Sequence, residues 1–260
     1  MISAGIDCGA RNTKVIILKD NQILSKSSVP SSFDQLESAR DAFNRALKLS
    51  GLTYKEIKHI TSTGAGKKGA RMAHSTVTEV GASARGSIHL LPTARTVIDV
   101  GAEEGRAIKI DEYGKVLDFA INEKCAAGAG TFTETMARAL EIELEQMGSL
   151  SLMSEKSVPM NAQCAVFAES EVVSLIHSKV PKKDIARAIH DAIADRIASM
   201  VRRIGIEKDV CLVGGLAKNV GFVESLKRNL DVEIYLPENP EFTCALGAAL
   251  IATGRAGRDK

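Results

Sequence analysis

A chain of 260 residues with 45% hydrophobic and 25% charged content is long enough for one large unit or two lobes, each with its own core. The 34 basic and 32 acidic residues leave a net charge of +2, and no basic run is interleaved with aromatics, which argues against a nucleic-acid partner. No stretch approaches the roughly 18 unbroken apolar residues of a membrane span, and 5 cysteines without a CxxC pair suit a reducing compartment, so a cytoplasmic protein with no membrane partner is expected.

The chain opens with a meander. Ile2 to Asp7 and Thr13 to Lys19 read as strands joined by a tight turn through Cys8-Gly9-Ala10-Arg11-Asn12, and Ile23 to Ser28 as a return strand. A helix is expected from Asp34 to Leu49, with Leu36, Ala39, Phe43 and Leu47 on one face, Ser32 as its cap and Gly51 as its terminator. Ile57 to Thr63 reads as a strand ending at Gly64-Ala65-Gly66, and Thr96 to Val100 as another ending at Gly101. Arg106 to Ile110 and Val116 to Asn122 form a hairpin through Glu112-Tyr113-Gly114.

After Gly128-Ala129-Gly130, Thr131 and Glu134 read as a capping box opening a helix that runs to Glu141. Lys183 to Ile204 is an amphipathic helix whose stripe, Ile185, Ile189, Ile193, Ile197, Met200 and Ile204, is ordinary core. Val210 to Val213 is a strand running into Gly214-Gly215, Val232 to Leu236 is another, and Ala245 to Thr253 is a final helix of small residues. No internal repeat stands out, and Arg255 to Lys260 reads as a solvated tail.

Three strand ends carry glycines: Gly9 after Asp7, Gly101 after Asp99, and Gly214-Gly215. Each is either a plain turn or a backbone able to approach phosphate closely. Taken together they suggest two lobes closing on a nucleotide, with Asp7 and Asp99 holding Mg2+ against phosphate oxygens; the alternative role for both aspartates is turn formation. Two cysteines sit in matching contexts, Asn122-Glu123-Lys124-Cys125-Ala126 and Asn161-Ala162-Gln163-Cys164-Ala165. They are either buried small hydrophobes or half of a four-thiolate metal site completed by a second subunit. Cys8, Cys211 and Cys244 read as packing residues, and His177 and His190 as ordinary helix residues.

Asp7-Cys8-Gly9 through Thr13-Lys14, Asp99-Val100-Gly101, Val213 through Asn219 and Ala245-Leu246-Gly247-Ala248-Ala249 resemble the phosphate, adenosine and connecting motifs of the acetate kinase, sugar kinase, Hsp70 and actin superfamily. Asn122 through Gly130 and Cys164 through Glu171 resemble, more narrowly, the ATPase family of 2-hydroxyacyl-CoA dehydratase activators and benzoyl-CoA reductase ATPase subunits. The superfamily implies an α/β, two-lobed, duplicated ribonuclease H-like fold of mixed sheets flanked by helices. Lobe I is expected over 1–95 with the C-terminal helix 246–260, and lobe II over 96–245.

The family resemblance implies ATP and Mg2+ as ligands, with Asp7 and Asp99 at the reacting phosphates. Gly9, Asn12, Thr13, Lys14, Gly101, Ala102, Gly214, Gly215, Leu216, Asn219 and Gly247 would line the nucleotide. It also implies one [4Fe-4S] cluster shared by two subunits through Cys125 and Cys164, in a homodimer or a heterodimer with a paralogue. The partners so implied are a low-potential ferredoxin or flavodoxin donor and an acyl-CoA reductase or dehydratase as acceptor, in an anaerobic setting. Ala84 to Arg95 and Gly101 to Ala107 look nearer to the benzoyl-CoA reductase ATPase component than to the activators.

Two departures matter. Activators carry Gly-Gly-Gln-Asp where this chain has Gly101-Ala102-Glu103-Glu104, so either Glu103 positions the attacking water or hydrolysis is impaired; Ala10-Arg11 replaces the usual Ser-Thr of the first turn. A small-molecule kinase on the same fold and a zinc-bridged regulatory dimer are the rival functions, since the spacing alone does not separate them.

Overall fold

The computed structural model describes residues 1–122, 129–160 and 165–256. The chain divides into two compact units: Met1–Ala94, Ile110–Leu117 and Glu241–Lys260 form the first, and Arg95–Lys109 with Asp118–Pro240 the second. The elements of the first unit are β1 (Ile2–Cys8), β2 (Asn12–Lys19), β3 (Gln22–Pro30), α1 (Gln35–Ser50), β4 (His59–Thr63), β5 (Ser75–Thr76) and α2 (Glu79–Leu90). There follow β6 (Thr96–Val100), β7 (Gly105–Ile110), β8 (Val116–Asn122), α3 (Ala129–Ala139), α4 (Leu144–Leu152), α5 (Ala165–His177), α6 (Lys182–Ile204), β9 (Val210–Val213), α7 (Val220–Leu230) and β10 (Ile234–Tyr235). The closing helix α8 (Thr243–Ala256) returns to the first unit.

The two sheets have one topology. The first runs β3-β2-β1-β4-β5 and the second, read in the same sense, β8-β7-β6-β9-β10. In each, the central strand pairs antiparallel with the strand after it and parallel with a strand reached by a helical crossover. This is the duplication expected of a ribonuclease H-like ATPase fold, although little in the sequence announces it, because only strand order and a few turn residues are shared.

Side-chain alternation explains the layers. On β1, Ala4, Ile6 and Cys8 point to one face, where Ala39, Ala42, Phe43 and Ala46 of α1 cover them. On β2, Val15 and Ile17 share that face, while Ile16 and Leu18 turn to the other and meet Ala245, Leu246, Ala249 and Leu250 of α8. A strand covered on both faces has no polar side, hence the unbroken run Val15 to Leu18. In the second unit, Ile98, Val100 and Ala107 of the sheet join the α6 stripe, which is buried as expected. No helix among the described residues is long and apolar enough to cross a membrane.

Three local expectations are corrected. Helix α1 is capped by Asp34, whose carboxylate accepts from Leu36 and Glu37 N–H at 2.9 and 3.3 Å, and not by Ser32. Helix α3 begins at Ala129, inside the glycine run, so Thr131 is not its cap; its hydroxyl donates instead to the Ala102 carbonyl at 3.0 Å. The helices α2, α4, α5 and α7 add to those expected: in α2, α4 and α5 serine, glycine or exposed apolar residues blur the 3.6-residue period, whereas α7 keeps it, with Phe222, Val223, Leu226 and Leu230 buried.

Candidate functional site

The chemistry-bearing residues gather at the ends of the two central strands. In the first unit Asp7 is 8% exposed at the end of β1, directly across the antiparallel pair from Lys14. The Lys14 ammonium stands 3.2 Å from Asp7 Oδ2 and 3.3 Å from the Asn12 carbonyl. The turn between them is held by a residue outside the expected set: the Ser31 hydroxyl donates to the Gly9 carbonyl at 2.7 Å and lies 2.9 Å from the Thr13 hydroxyl. Thr13 is fully buried, so its hydroxyl braces the turn. Cys8 is also fully buried; burial, reinforced by Asp7 and only partly offset by Lys14, pushes its thiol up to about 12 and leaves it a neutral packing group.

The second unit repeats this arrangement. Asp99, 3% exposed, ends β6 directly across from Arg106 on β7. The Arg106 guanidinium lies 3.6 Å from Asp99 Oδ2 and also pairs with Glu104. Gly64 follows β4 beside Asp7 and Gly214 follows β9 beside Asp99, both at positive φ, +92° and +91°. A Cβ on Gly64 would stand 2.5 Å from the Cys8 carbonyl oxygen and 2.7 Å from Asp7 Oδ1; on Gly214 it would stand 2.4 Å from the Val100 carbonyl oxygen and 2.7 Å from Asp99 Oδ1. Each aspartate is therefore walled by a glycine that no other residue can replace.

Arg106, Gly64 and Ser31 lie outside the set expected from the sequence. A signal for Arg106 is present: Asp7-Cys8-Gly9-Ala10 and Asp99-Val100-Gly101-Ala102 are both followed, at the same offset from the aspartate, by a basic residue.

The second turn is tied to α3. Gly130 N–H donates to the Gly101 carbonyl at 3.2 Å, and Thr131 N–H and hydroxyl both donate to the Ala102 carbonyl at 3.0 Å. A Cβ on Gly130 would come within 2.8 Å of Ala102 Cα, so helix and turn touch backbone to backbone. Gly101 N–H closes the turn onto the Glu104 carbonyl at 2.9 Å, and Glu103 projects from it as an exposed side chain.

The expected nucleotide residues after β9 divide by environment. Leu216 is buried in the core of the second unit, and Asn219 caps α7 by accepting from Gly221 and Phe222 N–H at 3.0 and 3.1 Å. Gly215 has nothing within 4 Å of where a Cβ would stand, and Gly101 only the Glu104 carbonyl at 3.5 Å, so packing does not demand either glycine and both leave open backbone for a ligand. Gly247 instead faces the backbone of α2, where a Cβ would lie 1.8 Å from the Ala82 carbonyl oxygen. Replacing Asn219 by alanine is expected to remove about 1 kcal/mol of stability, read as a lower urea midpoint at unchanged slope; an unchanged midpoint would show that the cap is dispensable.

Cys125 and Cys164 lie outside the described residues. In sequence, Cys164 immediately precedes α5 and Cys125 comes shortly before α3.

Buried strand-end carboxylates beside glycine turns, one per repeated sheet, are a donor set that suits Mg2+-bound phosphate. The sequence model of the BadF/BadG/BcrA/BcrD ATPase family matches residues 4–252. The chain belongs to that family. It is 36% identical to the 2-hydroxyisocaproyl-CoA dehydratase activator of Clostridioides difficile, over 98% of this chain and 96% of the relative. It is 37% identical to the activator of lactoyl-CoA dehydratase of Anaerotignum propionicum, with 97% of each covered. A component of the benzoyl-CoA reductase of Thauera aromatica matches at 32%, over 96% of this chain and 92% of that protein.

Among solved structures, the activator of the 2-hydroxyisocaproyl-CoA dehydratase from Clostridium difficile with bound ADPNP superposes with a TM-score of 0.94 at 35% identity, covering 100% of this chain and 97% of that one. A ROK hexokinase from Thermus thermophilus, at 15% identity and a TM-score of 0.56, shares the fold. The whole-chain match favours the dehydratase activators over the reductase component suggested by the short segments 84–95 and 101–107. Those segments are a small fraction of a chain whose activator-like residues run along its full length.

Proposed function

We propose that this member of an ATPase family activates a 2-hydroxyacyl-CoA dehydratase by coupling ATP hydrolysis to delivery of a low-potential electron. The observation that carries the reading is the contact of the second aspartate turn with α3: the helix following Cys125 in sequence has its first turn hydrogen-bonded to the carbonyls of Gly101 and Ala102. A change of phosphate state at that turn acts on α3 directly, with no intervening loop to absorb it.

In this reading Asp7 and Asp99 hold Mg2+, Lys14 orients Asp7, and phosphate is admitted by the open backbones at Gly101 and Gly215 and by the tight turn at Gly9, where a Cβ would stand 2.8 Å from the Asn12 carbonyl oxygen. Asn12, Thr13, Ala102, Gly214, Leu216, Asn219 and Gly247 shape the turns and helices that bind the nucleotide. Glu103, exposed beside Asp99 in sequence, accepts a hydrogen bond from the attacking water. Thiolate is the donor that iron–sulfur clusters take, and Cys125 with Cys164, doubled in a dimer, makes the four. A [4Fe-4S] cluster so bound supplies a one-electron carrier between a ferredoxin or flavodoxin donor and the dehydratase.

The test is anaerobic purification with iron and sulfide analysis, EPR, and ATP-dependent activation of an acyl-CoA dehydratase. About four irons per dimer, lost in both Cys125→Ser and Cys164→Ser, together with dehydratase activation, is the expected result. A colourless protein that phosphorylates a small molecule, or one that holds zinc, would replace the reading with a kinase or a zinc-bridged dimer.

A further inference from the structure

The two aspartate turns share their strand register and differ in two respects: the basic residue across from the aspartate and the acids that the turn carries. Lys14 ends in a single ammonium that reaches Asp7 and the Asn12 carbonyl, and its turn, Ala10-Arg11-Asn12, contains no acid. Arg106 ends in a fork and faces a turn with two acids, Glu103 and Glu104. The fork engages Asp99 with one nitrogen and Glu104 with the other. An ammonium on a lysine stem offers one charge centre and does not bridge two carboxylates in this planar way. Arg106 and Asp99 are nearly buried, with side chains 11% and 4% exposed, so solvent screens that arm of the bridge little, whereas Glu104, 39% exposed, is held at its solvent edge.

The consequence falls on Glu103. With Glu104 drawn back onto β7 and its carbonyl accepting from Gly101 N–H, the turn presents Glu103 with no hydrogen-bond or ion-pair partner among the described residues. A carboxylate that positions an attacking water must have its acceptor oxygens free. A second free carboxylate at the same turn would add repulsion toward a polyanionic phosphate.

We infer that Arg106 is a positioning residue that withdraws Glu104 and leaves Glu103 as the one working carboxylate of this turn. The inference rests on the ATPase reading above and extends it: the Glu103-Glu104 pair, which departs from the Gln-Asp of the activators, functions because an arginine sorts the two acids.

The test is steady-state ATP hydrolysis by the anaerobically purified dimer of this chain, comparing wild type, Arg106→Lys, Glu103→Ala and the double variant. Arg106→Lys keeps a cation beside Asp99 and releases Glu104. It is expected to lower kcat about tenfold or more while KM for ATP stays within about threefold and the thermal midpoint is unchanged, a split that a merely structural role would not produce. In the Glu103→Ala background the same change is expected to have little further effect, because both act through one group. Full activity in Arg106→Lys, a loss that multiplies with that of Glu103→Ala, or a loss that tracks a lowered thermal midpoint would overturn the inference while leaving the ATPase reading in place. A wild-type dimer inert toward ATP would overturn both.

Discussion

Replacing Gly247 by alanine is expected to cost about 3 kcal/mol or more and to yield a protein that is largely unfolded or aggregated near physiological temperature. Helix α8 is wedged against two partners. On one side a Cβ at Gly247 would lie 1.8 Å from the Ala82 carbonyl oxygen and 2.9 Å from Gly86 N, and a Cβ at Gly86 would lie 2.2 Å from the Thr243 carbonyl oxygen. On the other, a Cβ at Gly5 of β1 would lie 2.0 Å from the Ala245 carbonyl oxygen. These neighbours are backbone atoms of regular elements, so relief requires moving a whole helix rather than rotating a side chain.

Gly254, on the same helix, has nothing within 4 Å and provides the control. Alanine there is expected to be neutral or to stabilise by up to about 1 kcal/mol, since it removes backbone entropy from a helix. Urea midpoints of the two variants decide the matter. A Gly247→Ala protein as stable as Gly254→Ala would mean that α2 and α8 can separate freely, contrary to the packing.

The second large effect is a dependence of stability on pH that originates at His190. Its ring is fully buried on α6, with neither nitrogen hydrogen-bonded among the described residues and the first turn of α7 pressed against it at Gly221. Burial lowers its pKa from 6.5 to about 4; the nearby Asp191 carboxylate opposes the shift, and Arg228 adds to it. Above pH 6.5 the imidazole is neutral in both folded and unfolded chains and contributes no slope. Between pH 6.5 and about 4 the unfolded chain takes up the proton and the folded chain does not, so stability falls as pH falls, by about 3 kcal/mol over the whole window.

His190→Leu is expected to flatten that part of the profile, and at pH 7 to be neutral or stabilising because two unpartnered nitrogens leave the core. Unfolding free energies of wild type and variant at pH 7.5 and 5 measure it. The same pH slope in both proteins would place the origin elsewhere. His190 is also a residue that the sequence presents as unremarkable: it sits in a helix with no partner at ligand spacing, and only packing reveals that water has been excluded from it.

How far the sequence reaches follows from the range of the forces involved. The longer strands and the amphipathic α1 and α6 are legible because their signals are local: the apolar run Val15–Leu18, the isoleucine stripe from Ile185 to Ile204, the stop at Gly51; the two-residue β5, Ser75–Thr76, carries no such signal. The motifs around Asp7, Asp99, Cys125 and Cys164 are equally legible, since a turn of a few residues carries its own chemistry, and they suffice to identify the family.

The tertiary structure alone decided which residues meet across strands and helices. Nothing near Asp7 in sequence points to Gly64 or Ser31, and nothing near Asp99 to Gly214; the parallel crossover of each sheet brings the glycines there. Thr131 illustrates the same limit. Its spacing to Glu134 reads as a cap, but the helix already runs from Ala129, and the approach of Ala102 offers the Thr131 hydroxyl a carbonyl instead. A hydrogen bond to a distant backbone competes on equal terms with a local one, and which of them forms depends on how the sheet and helix pack, information that no window of sequence contains.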